Sequence, residues 1–219
     1  MTRWLVSLVL LLFVVLVPAA SQAATVTVLV SGTITGVDPA LAGTFSTGQG
    51  VAFSIVLDDA PADASPDPGV GLYHGGVVSL NGSIGSYTVA ASDGTLVVHD
   101  NSLSTSNRDG LDASNFNSLS GSAVAGLPLY SVRVVAGSSN EFISGDDFPT
   151  LAELNGLVPV PGQFSGHPWN SLYFYDGVTV AGVAWSVDSM AVPEPSLAGL
   201  VGLGAVALVL GGRRNAGRR

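Results

Sequence analysis

Residues 25–35, TVTVLVSGTIT, decide the fold class. Val26, Val28, Val30 and Ile34 fall on one side of an extended chain, and Thr25, Thr27, Thr33 and Thr35 fall on the other. A period of two built from β-branched residues is a strand with one buried face, since a helix would scatter those positions around its axis. The alternation returns at Val51, Phe53, Ile55 and Leu57, closed by Asp58-Asp59. Further strands are expected over 76–80, 86–90, 95–100, 130–136, 172–175 and 179–187. Turn signals punctuate them at Asn81-Gly82, Asp93-Gly94, Asp109-Gly110 and Asp176-Gly177. Asp93-Gly94 and Asp176-Gly177 are flanked by apolar runs and are the expected hairpins. A helical turn is expected only near Leu151–Leu154. About eight short strands with no fixed-period repeat predict an all-β fold, an antiparallel β-sandwich of jelly-roll-like or Ig-like form, in one domain.

Composition narrows the function classes. The 219 residues contain no cysteine, which excludes disulfides, thiolate metal sites and a cysteine nucleophile. Residues 24–191 carry 15 acids against Arg108 and Arg133, a net charge of −13. Such a surface is soluble, repels anionic polymers and argues against nucleic acid as a partner.

The two ends read differently from this middle. Arg3, the apolar run Trp4–Val17, Pro18 and the small residues Ser21 and Ala23 have the form of a signal peptide over residues 1–23. Signal peptidase would cut ahead of Ala24, leaving residues 24–191 as the exported domain. At the other end, residues 192–196 read VPEPS, with two prolines that fix φ and remove backbone donors. Residues 197–212 contain only Leu, Ala, Gly and Val and are expected to form one transmembrane helix near the lower length limit for a span. Arg213, Arg214, Arg218 and Arg219 then make residues 213–219 an Arg-rich tail that the positive-inside rule assigns to the cytoplasm.

Pro193-Glu194-Pro195, the short apolar helix and the terminal arginines, Arg213 and Arg214 first among them, resemble the PEP-CTERM sorting signal. The resemblance covers residues 192–219. It implies recognition by an exosortase, transient anchoring in the inner membrane, and delivery to the cell surface or matrix, in association with exopolysaccharide or biofilm. The stretch from GTITGVDPALAGTF through the Pro/Asp-rich loop to GLYHGGVVSLNGSIGSYTV is also similar to exported domains of such proteins. That likeness transfers no activity to any residue.

The domain itself offers few chemical candidates. Asp58, Asp59, Asp63 and Asp67 on one loop, and Asp109 and Asp112 around Gly110, are oxygen donors suited to Ca²⁺. An EF-type loop fails there, because aligning Gly110 to the turn glycine puts Thr105 first and Phe116 last. No Gly-x-Ser-x-Gly elbow surrounds a serine, and His74, His99 and His167 stand in no motif. Trp169, Ser171, Tyr173 and Tyr175 would share one face of a strand, with Leu172 and Phe174 on the other. Exposed Trp169, Tyr173 and Tyr175 would suit stacking on sugar rings. The expected function is therefore a non-enzymatic, exosortase-sorted surface or matrix protein. The alternatives are a surface carbohydrate-binding module and, behind it, an envelope hydrolase.

Overall fold

The computed structural model describes residues 25–103, 108–138, 141, 143–160 and 169–193. The expected signal peptide, His167, Glu194, Pro195, the expected membrane helix and the terminal arginines lie outside them. Among the described residues no helix is long and apolar enough to cross a membrane.

The strands are β1 (Thr25–Val37), β2 (Gly50–Asp58), β3 (Val70–Ile84), β4 (Tyr87–Leu103), β5 (Arg108–Ser114), β6 (Ser118–Gly121), β7 (Leu129–Gly137), β8 (Ser171–Tyr175) and β9 (Val180–Ala191). A short helix, α1 (Leu151–Gly156), precedes β8. All pairings are antiparallel, and the order β3-β2-β1-β9-β8-β7-β5-β4 returns to β3. The fold is all-β as expected, but the sheet closes on itself into an eight-strand up-and-down barrel. The sandwich of jelly-roll-like or Ig-like form is thus corrected. Alternation reports one buried face per strand in either architecture, whereas closure depends on β1 pairing with β9 about 150 residues later in the chain.

β5 and β6 act as one interrupted strand. Both pair with β4, β5 along Thr95–Leu103 and β6 along Val89–Ser92. The interruption is centred on Asp93, whose φ of 54° makes an irregularity inside β4 rather than the expected hairpin. A short polar side chain tolerates this left-handed conformation. Asp93 then holds Asn117, accepting from its backbone N–H at 3.1 Å and from its side-chain amide at 2.7 Å. Asn81-Gly82 also lies inside a strand, β3, and the β3–β4 reversal falls instead at Gly85-Ser86, where Gly85 has φ 58°. Asp109-Gly110 lies within β5. Only Asp176-Gly177 forms the hairpin expected of it, between β8 and β9. The Asp176 carboxylate accepts from the backbone N–H groups of Val178 and Thr179.

Inward residues fill the barrel. Trp185 packs on Phe53 with ring centroids 5.4 Å apart, and Leu80, Leu96, Val98, Leu172 and Val183 are almost wholly buried around them. The void between Val28, Ile55, Leu96, Leu111 and Met190 measures only about 20 Å³, room for about one water. Among the described residues the barrel interior is a packed core, and the clefts of ligand size lie on its outside.

The two mouths are closed differently. At the end where β1 leaves and the β3–β4 turn lies, a 3₁₀ turn at Pro39–Leu41 brings in Leu41 and Phe45. Phe45 contacts Tyr87 and Phe174 at centroid distances of 5.3 and 6.0 Å. At the opposite end, where Thr25 and Ala191 lie, Phe148 meets Tyr73 edge-on and α1 contributes Leu154. A capping box starts α1: Thr150 Oγ1 accepts from the Glu153 backbone N–H, and the Glu153 carboxylate accepts from the Thr150 N–H. We call this the entry end, and the Phe45 mouth the distal end.

Candidate functional site

The outer wall is interrupted between β5 and β7. The β5–β7 ladder runs from Gly110↔Gly137 to Ala113↔Val134 and stops there. Beyond it, Ser114, Asn115, Phe116 and Leu119 form one bank of a groove, and Tyr130–Arg133 of β7 with Ser171 and Tyr173 of β8 form the other. The groove holds about 440 Å³, within the range of about 300–1,000 Å³ usual for small-ligand clefts.

Each aromatic residue here has a local reason for its position. In β8, Leu172 and Phe174 point into the barrel and are fully buried, which forces Tyr173 and Tyr175 outward. Tyr130 occupies the register shift between Leu129 and Ser131, opposite Phe174 and Tyr173. Such a bulge re-aims a side chain, and Tyr130 stands 62% exposed. Its ring meets Tyr175 edge-to-face at 5.4 Å and 75°, and the Tyr175 hydroxyl donates to the Gly177 carbonyl at 2.8 Å. Across the groove, Phe116 lies against Gly94, where a Cβ would come within 2.5 Å of the ring.

A partly buried polar frame supports the entry-side end of the groove. Arg133 Nε donates to both Asp112 oxygens at 3.1 Å, and Nη2 donates to Oδ2 at 2.5 Å. Trp169 lies over that guanidinium, 5.1 Å from ring centroid to Cζ, and packs on Val135. It precedes β8 rather than belonging to it, because the Asn170 side chain takes the place of a strand neighbour. Its Oδ1 accepts from the Val135 N–H at 2.6 Å and its Nδ2 donates to the Val135 carbonyl at 2.9 Å. Burial pushes the Tyr173 hydroxyl above its usual pKa and the nearby His99 imidazole below its own.

Of the three aromatic residues expected to stack on sugars, Tyr173 lines the groove, whereas Tyr175 packs on Tyr130 and Trp169 on Arg133; Tyr130, Phe116 and Arg133, which the sequence did not single out, complete the lining. The signal for Tyr130 is a bulge, and a bulge is set by cross-strand register rather than by local residue type.

The acidic candidates have structural partners instead. Asp58 Oδ1 accepts from the Ala60 N–H, Asp67 Oδ1 from Gly69, and Asp63 Oδ1 from both Ser65 and Leu72. These are turn-forming carboxylates, and the bonds to Leu72 and Ser65 hold the Asp63 carboxyl below its usual pKa. Asp109 is 1% exposed and accepts from the Asn101 and Ile143 N–H groups, while Asp112 holds Arg133. Asp59 lines a different cleft at the entry end with Phe148, Leu151 and Val192. Among the described residues no three acids or histidines are placed to share a metal ion.

The acids at the entry end do act on Tyr73. Its hydroxyl donates to the Asp146 carbonyl at 2.6 Å. Burial first, then the charges of Asp63, Asp147 and Asp146, push its pKa up to about 12. The folded value lies above the unfolded one, so neutral Tyr73 stabilises the fold fully below about pH 10, and that contribution is lost as pH rises through about 12. A spectrophotometric titration is expected to show one tyrosine ionising near that value, followed by loss of structure. Tyr73→Phe should remove that step, and a Tyr73 that ionises with the exposed tyrosines would refute the assignment.

The chain matches no family model, no curated protein and no solved structure.

Proposed function

We propose that this is an exported, non-enzymatic surface or matrix-associated protein whose barrel is released from a membrane tether by an exosortase acting at the PEP motif. The observation that supports this reading is where the last strand ends. β9 pairs with β1 as far as Ala191↔Leu29, Val192 is the last buried residue described, and Pro193 is exposed. A proline brings no N–H to a ladder, so the strand stops before the motif. All nine described strands of the barrel lie upstream of Glu194.

On this reading the apolar residues 197–212 hold the precursor in the inner membrane, Arg213 and Arg214 fix its orientation, and Pro193-Glu194-Pro195 offers an extended backbone beside one negative charge. Glu194→Ala, or deletion of residues 213–219, is expected to leave a membrane-held precursor that keeps its C-terminal segment. Membrane fractionation with intact-mass measurement reads this directly. Normal maturation of both variants would refute recognition through the motif.

A further inference from the structure

We infer that the groove between β5–β6 and β7–β8 binds a neutral polysaccharide, with Tyr130 and Tyr175 as its stacking platform. Tyr130 is a large aromatic residue left 62% exposed by a bulge, on a barrel that buries Tyr73 and Tyr87. Its ring is held by Tyr175, which is itself anchored through its hydroxyl to Gly177. The platform is therefore ordered before any ligand arrives, which removes part of the entropic cost of binding. An aromatic ring offers an apolar face to the C–H side of a pyranose and leaves a hydroxyl at its rim for the sugar hydroxyls. Ser114, Asn115 and Ser131 supply further neutral hydrogen-bonding groups along the same groove.

Charge selects the class of glycan. The cation lining the groove, Arg133, is held in a two-point ion pair by Asp112. The domain around it carries a net −13, which repels uronate-rich or sulfated chains. With Arg133 neutralised by Asp112, the groove is a strip of little net charge on an acidic body, suited to a neutral glycan. Its position is also consistent with access. Tyr175 and Tyr130 lie towards the distal end, since Tyr175 pairs with Val180 and Leu129 with Phe174 beside the Phe45 plug. The described chain leaves at the entry end, beyond Ala191.

The test is affinity electrophoresis of the full chain in neutral detergent, through gels cast with hydroxyethyl cellulose, galactomannan or polygalacturonate. We expect retardation by at least one of the two neutral polymers and none by polygalacturonate. Tyr130→Ala should weaken that retardation about tenfold, and Tyr130→Phe should retain it, because the ring face remains. A thermal melt of Tyr130→Ala should match the parent, as expected for an exposed side chain. Retardation by polygalacturonate alone would overturn the neutral assignment. Undiminished binding by Tyr130→Ala would overturn the site, and free migration in all three gels would overturn the proposal. The assay reads the barrel whether or not the tail is processed.

Discussion

Truncating Trp185 to alanine is expected to cost the fold about 3–5 kcal/mol, enough to unfold a marginal domain. Trp185 is fully buried at the centre of the barrel, against Phe53, on a strand with Val183 and Val187 also directed inward. The surrounding strands are fixed by ladders on both sides and cannot collapse into the void left behind. Trp185→Phe should cost much less, for a specific reason. The indole Nε1 is buried with no hydrogen-bond partner among the described residues, so phenylalanine removes an unsatisfied donor along with part of the ring. Urea unfolding followed by far-UV circular dichroism measures both variants. A Trp185→Ala midpoint close to the parent would show that this centre is not the core it is taken to be, and a Trp185→Phe loss equal to that of alanine would contradict the account of the orphaned N–H.

The second large effect is expected at the seam that makes the barrel. Gly32 sits at a register shift in β1, where a Cβ would run into the backbone carbonyl of Ser186 on β9. A backbone oxygen held in the ladder cannot rotate away as a side chain would. Gly32→Ala must therefore push β9 off β1, at a cost of about 3 kcal/mol, the upper end of overpacking effects. Opening this seam also exposes two strand edges, and unpaired edges associate. Size-exclusion chromatography should show oligomers for Gly32→Ala and a parent-like profile for Gly43→Ala, where nothing lies within 4 Å of the added methyl. A monomeric, parent-stable Gly32→Ala would mean that closure does not depend on this contact.

The residues that were easy to read share a property: the physics that fixes them is local. Alternation at 25–35 and 51–57 marked β1 and β2 because burial on one face repeats every second residue. Asp176-Gly177 announced its hairpin, since a carboxylate that caps two N–H groups beside a left-handed glycine needs only its neighbours. Asp93-Gly94 has the same two letters, yet it lies in the middle of β4. There the partner strands on both sides supply pairing that outweighs the local preference for a turn. Tyr173 and Tyr175 were legible as outward residues because Leu172 and Phe174 had to go inward, whereas Trp169 lies ahead of β8 and off that face.

By itself, the sequence determined the all-β class, the acidic body between two apolar ends, and the outward tyrosines of β8. Period, charge and side-chain volume are carried by the residues themselves. Tertiary structure alone decided that the sheet closes into a barrel, that its interior is filled, and that Tyr130, Phe116 and Arg133 join those tyrosines around one groove. Each of these depends on register between strands far apart in the chain, where a shift of one residue exchanges inside for outside.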